Sequence, residues 1–369
     1  MEKANTQTID FSHTPFIVVN LDVAQENCRT MVENLKKHGI AWRPHIKTHK
    51  SVFFAKKQLE WGAHGITCAT VGEAKIMAEA GFDDIYIAYP LIGNTKLAAY
   101  FALSQTVKTL RTLVNSLEGA MALGAVFEKA GAKAQVLLEI DGRFGRGGIA
   151  PDAMLAFAQT VASVKGIEIV GLASFSGAAG ALMEEEKRRE DAKIERDYLC
   201  NTAQILKEHG FCMDVLSGGS SVSTRYPDCL VGLTEARAGT CIFNDAMHIA
   251  QGTCTQAQAA ATVWASVVTC IAPGRAIIDA GSKTLTSDLA ASTGYGRVLG
   301  LGEGAFIVKL SEEHGFLEFS PEVSLSVGDV LQIIPNHICT AMNLADSVVC
   351  VQDGAEPFLV PVDARGQNR

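Results

Sequence analysis

The sequence predicts an α/β protein built from a (β/α)8 barrel of the TIM type and a C-terminal all-β domain. Between about residues 40 and 240, short apolar runs alternate with helical patterns, and there are eight such runs. Buried strands that alternate with helices form parallel sheets, and eight of them can close into a barrel. Beyond residue 255 the pattern changes to strands separated by Gly-containing turns. An open, doubly wound sheet is the alternative for the first part.

The barrel elements are predicted from the apolar runs and from the helical stretches between them. One helical stretch, 71–80, follows Thr70 and carries Glu73 three residues later, which is a capping-box pattern. Two other stretches with a helical pattern are 151–164 and 183–209. The apolar runs, predicted to be the barrel strands, are 40–46, 65–69, 85–88, 107–114, 135–140, 167–175, 213–216 and 234–238.

The last third of the chain shows no amphipathic helix, and turns such as Ala272-Pro273-Gly274 separate its apolar runs. We therefore predict a barrel domain over 21–254 and a β domain over 255–363. An early strand at 14–20 is expected to join the β domain. The runs predicted as strands of this domain are 262–271, 275–279, 306–310, 315–319 and 329–335.

Composition excludes several classes of protein. Of 369 residues, 48% are hydrophobic and only 20% are charged, which supports a large core and excludes intrinsic disorder. The net charge is −8 and there is no long basic run, so neither nucleic acid nor an anionic membrane is an expected partner. No uncharged apolar stretch approaches the length of about 18 residues that a membrane span requires.

The cysteines and the N-terminal segment predict a cytoplasmic location. Ten cysteines are scattered along the chain without a Cys-x-x-Cys pair. The segment 1–13 is polar and lacks the basic and then apolar order of a signal peptide. These features are typical of a reducing compartment, where most cysteines are small core residues.

A lysine follows the first apolar run, where barrel enzymes place their chemistry. Lys47 lies in Arg43-Pro44-His45-Ile46-Lys47-Thr48-His49-Lys50, at the carboxyl end of the predicted strand. A lysine that is desolvated there has a lowered pKa and can form a Schiff base. The alternative is a solvated lysine at a strand end, and the spacing alone leaves both open.

Glycine-rich segments follow the later runs. The segment 141–148 contains two arginines, which could hold an anion or a phenolate oxygen. Small residues at 217–221 and 238–240 follow the seventh and eighth runs, where barrels build phosphate sites from backbone N–H groups. Pyridoxal phosphate needs a lysine that reacts with its aldehyde, a binding site for its phosphate and partners for its ring atoms. These segments offer residues of all three kinds.

In these segments the chain resembles the D-threonine aldolase and D-serine dehydratase family. Members of that family have an alanine racemase-like barrel, which is fold type III of the pyridoxal-phosphate enzymes, and a β domain. The resemblance covers nearly the whole chain. Its first and last motifs are the most specific. The motifs are Arg43-Pro44-His45-x-Lys47-Thr48-His49-Lys50, Asp141-x4-Arg146-x-Gly148, Ser217-Gly218-Gly219, Arg237-x-Gly239-Thr240, Asp279-Ala280-Gly281-Ser282-Lys283, Glu312-Glu313-His314-Gly315 and Pro335-Asn336-His337-Ile338-Cys339-Thr340-Ala341-Met342-Asn343-Leu344.

The resemblance assigns cofactor roles to individual residues. It implies a Schiff base of pyridoxal 5′-phosphate on Lys47, with His45 positioning it, and Arg146 near the 3′-oxygen. Arg237 would face the pyridine nitrogen, and its permanent charge disfavours protonation of that nitrogen. The phosphate contacts implied are Ser220, Ser221, Gly239 and Thr240.

The resemblance also implies a divalent metal on His337 and Cys339. On an extended strand, residues two apart point to the same face, so chelation is expected to be feasible. A thiolate ligand favours Zn²⁺ over Mg²⁺ or Mn²⁺. The alternative from the residues alone is a core cysteine beside a hydrogen-bonded histidine.

Departures from the family pattern indicate a different substrate pocket. Phe175 stands where the family has tyrosine, so any role of that phenol is lost, and Cys241 stands where an aromatic residue is common. Because dehydratases of the family tend to carry His-x-Cys and aldolases His-x-Asp, we expect a lyase that dehydrates β-hydroxy D-amino acids such as D-serine or 3-hydroxy-D-aspartate.

Three other functions stay open. A D-threonine aldolase-type cleavage would give glycine and an aldehyde on the same scaffold. An amino-acid racemase would need a second acid or base, which the sequence does not identify. A non-catalytic pyridoxal-phosphate-binding protein would not need the β domain.

The resemblance further implies a homodimer.

Overall fold

The computed structural model describes residues 9–177, 183–289 and 294–369 of the chain. Within these residues the chain divides into two compact units, each described by itself. The barrel unit takes its residues from Arg29–Lys47, Phe54–Gly239 and Gln367–Arg369, and the β unit from Met1–Cys28, Thr48–Phe53 and Thr240–Gly366. The domain boundary expected between residues 254 and 255 stays a prediction.

The strands in the described residues are β1 (Phe16–Asn20), β2 (Ala41–Trp42), β3 (Ile66–Cys68), β4 (Asp84–Pro90), β5 (Thr109–Val114), β6 (Ala134–Ile140), β7 (Ile167–Ser174), β8 (Val215–Gly218), β9 (Glu235–Ala236), β10 (Ala261–Ala272), β11 (Arg275–Ile278), β12 (Gly296–Val298), β13 (Phe306–Leu310), β14 (Gly315–Glu318), β15 (Val330–Pro335), β16 (Ser347–Val351) and β17 (Phe358–Pro361).

The α-helices in the same residues are α1 (Leu21–Lys36), α2 (Val52–Glu60), α3 (Val71–Glu79), α4 (Asn94–Ser104), α5 (Leu117–Lys129), α6 (Met154–Ala162), α7 (Glu185–Glu208), α8 (Ala246–Ala250), α9 (Ser282–Leu285) and α10 (Ile338–Leu344). None of these described helices combines the length and the apolar character that crossing a bilayer requires.

The barrel unit contains one sheet of eight parallel strands in the order β2-β9-β8-β7-β6-β5-β4-β3. A parallel bridge between His45 and Thr67 joins the two end strands, and the Thr67 N–H donates to the Pro44 carbonyl over 2.8 Å. The bridge closes the sheet, so the predicted TIM-type barrel is confirmed. Each predicted apolar run overlaps one of its strands.

Buried charges hold part of the barrel interior together. Arg43, directly after β2, is fully buried. Its Nε lies 2.7 Å from Glu235 Oε2 on β9, and one terminal nitrogen lies 2.8 Å from Asp84 Oδ1 on β4. A buried guanidinium is tolerated because it is paired, and losing one partner would leave an uncompensated charge. The triad therefore fixes β2 relative to β4 and β9.

Helix α3 begins where its capping-box pattern predicts. Thr70 Oγ1 accepts the Glu73 N–H over 3.1 Å, and Glu73 Oε2 accepts the Ala69 N–H over 2.6 Å. These bonds satisfy donors of the first turn that have no partner within the helix.

The β unit is built around a ring of antiparallel strands. Strand β10 pairs with β11 and β15, and β14, β13 and β12 complete the ring between them. The early strand β1 pairs antiparallel with β10 and parallel with β16. The predicted C-terminal all-β architecture is confirmed.

The β unit differs from the prediction in its shortest elements. Strands β12, β16 and β17 were not among the predicted runs, and α9 and α10 interrupt a region expected to lack helices. The two helices have four and seven residues. Helices this short do not complete enough turns to show a helical period.

Candidate active site

Lys47 lies at the carboxyl end of β2, in the 3-10 turn Ile46–Thr48. Its side chain is exposed, and Nζ is 5.9 Å from the centroid of the Phe175 ring. His45 Nδ1 accepts the Lys47 backbone N–H at 3.4 Å. Burial, together with the positive charges of Lys47 and Arg237, lowers the pKa of His45 well below its ordinary value. His45 is therefore a neutral imidazole at physiological pH.

Arg146 lies on the loop after β6 and faces the same aromatic ring as Lys47. Its guanidinium carbon is 4.7 Å from the Phe175 centroid, and one nitrogen is 3.7 Å from Glu139 Oε1. Asn115 donates to the other oxygen of Glu139 over 2.8 Å. Phe175 thus contacts two cations through the face of its ring, an arrangement that requires no hydroxyl.

Arg237 follows β9 and is held by directed hydrogen bonds. Its two terminal nitrogens donate to Ser217 Oγ over 2.6 Å and to the Ser174 carbonyl over 2.5 Å. Ser217 in turn donates to Glu235 Oε1 over 2.7 Å. The guanidinium is buried and lies 5.7 Å from the Tyr86 ring centroid. Its orientation is therefore fixed by β7, β8 and β9.

The loop after β8 has a constrained backbone. Gly219 has φ +73°, and a Cβ there would lie 3.1 Å from Ala236 Cβ. The Ser220 N–H donates to Ser223 Oγ over 2.7 Å. Ser221 follows, half-buried, and Gly239, buried, lies beyond β9. Thr240 belongs to the β unit.

The structure brings four of the predicted residues to one rim of the barrel. His45 and Lys47 follow β2, Arg146 follows β6 and Arg237 follows β9, all at carboxyl ends of parallel strands. The charges of Lys47, Arg237 and Arg146 all act on His45. This is the rim where barrel enzymes carry out their chemistry.

The predicted metal ligands do not lie on an extended strand, and that part of the prediction is wrong. Strand β15 ends at Pro335, and His337 is the N-cap residue of α10, whose second residue is Cys339. The two side chains nevertheless lie close enough for Cys339 to act on the pKa of His337. Burial opposes the charge on His337, but the sulfur of Cys339 and nearby carboxylates outweigh burial and raise the pKa of His337 to about 9.

Hydroxyl groups and a buried carboxylate surround this pair. Cys339 Sγ is 3.4 Å from Thr48 Oγ1 and 3.5 Å from Thr240 Oγ1. Asp245 Oδ2 accepts the Ile338 N–H over 3.3 Å and lies 3.9 Å from His337 Nδ1. In the residues that the structure describes, no group of three or more His, Cys, Asp and Glu side chains is arranged for a metal. The pair thus offers two protein ligands.

Asp245 is a residue of this site that the sequence analysis did not identify. It is fully buried, caps α8 by accepting the His248 N–H over 3.1 Å, and lies 2.6 Å from His248 Nδ1. Burial raises the pKa of Asp245, but the two histidines outweigh burial and lower it. A helix cap is visible in sequence as Asp before a helical stretch, but a contact with Ile338, 93 positions further on, is not.

Comparison with known proteins agrees with the two-part fold. The family model "Alanine racemase, N-terminal domain" matches residues 19–246, and the model "Putative serine dehydratase domain" matches residues 260–351. The chain is 31% identical over 360 residues to a D-threonine aldolase of Arthrobacter sp., covering 96% of this chain and 93% of that protein. It is 31% identical to D-threo-3-hydroxyaspartate dehydratase of Delftia sp. strain HT23, covering 88% and 90%.

Solved structures of a D-threo-3-hydroxyaspartate dehydratase are similar across the whole fold. A cysteine-to-alanine mutant in the metal-free form aligns with a TM-score of 0.91 at 28% identity, covering 96% of this chain and 99% of that chain. A histidine-to-alanine mutant aligns with a TM-score of 0.90. The two substituted positions are two residues apart, as His337 and Cys339 are here.

The fold and the homologous enzymes together define this chain as an alanine racemase-like enzyme of the lyase class. The alanine racemase-like fold implies pyridoxal phosphate as the cofactor. Within that class, the chain belongs to the family that contains D-threonine aldolase and D-serine dehydratase.

Proposed function

We propose that this chain is a lyase that depends on pyridoxal 5′-phosphate and a divalent metal, and that it dehydrates β-hydroxy D-amino acids. D-Serine or 3-hydroxy-D-aspartate would give a 2-oxo acid and ammonia. The observation that carries the proposal is the placement of His337 and Cys339 together at the start of α10. Such a pair of nitrogen and thiolate ligands suits a Lewis-acidic metal, which a β-elimination needs to activate its leaving group.

The donor groups of the barrel rim fit pyridoxal phosphate. Lys47 offers an amine for the aldehyde, Arg146 an anion partner for the 3′-oxygen, and Arg237 a cation toward the ring nitrogen. Among the described residues, the buried Tyr86 hydroxyl and Ser174 Oγ have no hydrogen-bond partner. Buried polar atoms are normally satisfied by protein, water or ligand, so unpartnered ones support a binding site.

The phosphate is assigned to the loops after β8 and β9. Ser220, Ser221, Gly239 and Thr240 are the residues proposed to contact it. The positive φ of Gly219 supports a close backbone approach in this loop.

The metal is assigned to His337 and Cys339, and we propose Zn²⁺. Cysteine thiolate and imidazole nitrogen are ligands that zinc prefers, whereas magnesium and calcium prefer oxygen. Two protein ligands leave positions for water and a substrate oxygen, as in catalytic zinc sites.

When bound, pyridoxal phosphate supplies an electron sink for the α-carbon and zinc supplies a Lewis acid for the β-oxygen. With its amine free, Lys47 would take the proton from Cα of the substrate. His45 is neutral and accepts the Lys47 backbone N–H, so it adds no charge beside that amine. Arg237 cannot transfer a proton to the ring nitrogen at neutral pH.

Because Arg237 does not protonate the ring nitrogen, the reaction would depend more strongly on the metal. By leaving the ring nitrogen unprotonated, Arg237 would make the cofactor a weaker electron sink, and negative charge at Cα would be less stabilised. Elimination therefore depends more on assistance to the departing hydroxyl, which leaves with its bonding electrons and is released as water. The enamine product then tautomerises and hydrolyses to the 2-oxo acid and ammonia.

A second function has its own support. The identity of 31% over 96% of the chain to a D-threonine aldolase favours cleavage of the Cα–Cβ bond. In that reaction the β-hydroxyl of the substrate would lose its proton, the Cα–Cβ bond would break and Cα would gain a proton, so the products would be glycine and an aldehyde.

The test is turnover of D-serine by protein loaded with pyridoxal phosphate and zinc. We expect pyruvate and ammonia, loss of product after chelation, and recovery on adding zinc. Lys47→Ala should lose both the visible absorbance of the bound cofactor and turnover, whereas Lys75→Ala, an exposed lysine paired with Glu79, should lose neither. Full turnover by Lys47→Ala, or no dependence on metal, would overturn the proposal.

A homodimer and a small-molecule D-amino acid as the partner are further proposals, and both rest on the resemblance. We also propose a cytoplasmic location, which rests on the ten scattered cysteines. Light scattering should give twice the chain mass of 39.2 kDa. A mass equal to one chain would contradict the dimer.

A further inference from the structure

Helix α7 carries two carboxylates on the face that packs against β7 and β8. Asp191 and Glu195 are four residues apart, so they lie one above the other on the same face of the helix. They are 4% and 2% exposed, respectively. Carboxylates are almost never this buried unless they have specific partners. Their partners lie on the loops at the carboxyl ends of the barrel strands.

Asp191 joins the loops after β6 and β7. Its Oδ1 accepts from Arg143 over 2.7 Å, and its Oδ2 accepts from Ser176 Oγ over 2.5 Å. Arg143 has φ +59°, a backbone conformation that an arginine rarely adopts. The ion pair with a buried carboxylate helps to hold this strained residue in place.

Glu195 joins the loops after β7 and β8. Its Oε1 accepts the backbone N–H of Ser176 over 3.2 Å and that of Gly219 over 3.3 Å. A single oxygen therefore sets the distance between two loops. Its Oε2 is buried and has no hydrogen-bond partner among the residues that the structure describes.

Two of these three loops carry proposed cofactor contacts, and the third carries Phe175, whose ring lies beside Lys47 and Arg146. Arg146 is three residues beyond Arg143, Phe175 directly precedes Ser176, and Ser220 directly follows Gly219. We propose that Asp191 and Glu195 are positioning residues for the cofactor, because they fix these loops from one helix before the cofactor binds. The inference rests on the proposed function.

Binding of pyridoxal phosphate to the cofactor-free protein, followed by absorbance, tests this inference. Glu195→Ala removes an acceptor shared by two backbone N–H groups, and we expect the cofactor to bind roughly tenfold or more weakly. Glu195→Gln keeps an oxygen that can accept both N–H groups, so it should bind within about threefold of wild type. Ser176→Ala removes only the hydroxyl that Asp191 accepts from, and an intermediate loss is expected.

The matched control is Glu190→Gln, an exposed carboxylate one residue before Asp191. It should bind the cofactor as wild type does. If Glu195→Ala and Ser176→Ala, both shown to be folded by circular dichroism, also bind as wild type does, the inference is overturned. An equal loss in Glu195→Gln and Glu195→Ala would overturn the shared-acceptor role. If wild type itself fails to bind pyridoxal phosphate, the proposed function falls, which is a different result.

Discussion

The sulfur of Cys339 lies among groups that suit a metal ligand. Cys339 Sγ donates to Thr48 Oγ1 over 3.4 Å, Thr240 Oγ1 lies 3.5 Å from the sulfur, and His337 is close enough for the sulfur to raise its pKa. Once the thiol has lost its proton, these hydroxyls can donate to the sulfur, which stabilises the charged form that binds metal. The residue types needed for zinc are therefore placed together even though the local backbone is helical.

Substitution of this cysteine should separate the metal from the cofactor. Cys339→Ala is expected to keep the absorbance of bound pyridoxal phosphate and to lose bound zinc and metal-dependent turnover. Zinc content by elemental analysis and the visible spectrum provide the two readouts. Cys270→Ala, an exposed cysteine of the β unit, is the control and should lose neither. Stoichiometric zinc in Cys339→Ala would contradict the assignment.

Asp245 should act on the metal through His337. A carboxylate behind a metal-binding histidine orients its ring, and removing such a partner costs about 10–100-fold in metal affinity. We expect that loss for Asp245→Asn, which retains the helix cap, when zinc is titrated against a chelating dye. Asp346→Asn, an exposed residue paired with Arg365, is the control. Equal zinc affinity in both variants would remove Asp245 from the metal site.

At the scale of elements, α7 links stability to pH. Burial raises the pKa of Glu195 to about 7, with Asp191 adding to the shift, while Arg237 and the two N–H donors oppose it. The folded protein therefore binds a proton that the unfolded chain releases above its ordinary pKa near 4.5. The contribution of this proton to the free energy of unfolding is fully present below pH 4.5 and is lost as pH rises through 7.

Glu195→Gln should remove this pH dependence. Over about 2.5 pH units, the contribution amounts to roughly 3 kcal/mol of the free energy of unfolding. As pH rises from 4.5 to 8, the free energy of unfolding of the variant should therefore increase by about that much relative to that of wild type. Urea unfolding of the cofactor-free protein measures this difference. Glu190→Gln should follow wild type at every pH. Parallel pH profiles for Glu195→Gln and wild type would contradict a raised pKa.

Elements that lie within a clear apolar run or helical pattern were predictable, and short elements outside such a pattern were not. Most residues of the eight parallel strands are buried, so these strands appear as continuous apolar runs. Strand β12 has three residues and α10 has seven, too few for either period to stand out. The extended geometry assumed for His337 and Cys339 failed for this reason, because α10 begins between them.

At the scale of the whole molecule, contacts between distant parts of the chain set the limit of prediction. Lys47 was found because it follows a strand, and the carboxyl ends of barrel strands meet at one rim. No such rule connects Asp245 with α10, or Glu195 with the loop after β8. Those contacts depend on how whole elements pack, and the composition of the separate segments does not contain them.

The most direct measurement of the proposed reaction is NMR analysis of the products formed from D-threonine by the zinc-loaded holoenzyme. D-Threonine has both a β-hydroxyl that can leave and a Cα–Cβ bond that can be cleaved, so one substrate distinguishes the two reactions. The proposed dehydratase gives 2-oxobutyrate and ammonia. Glycine and acetaldehyde as the products would contradict it and identify an aldolase.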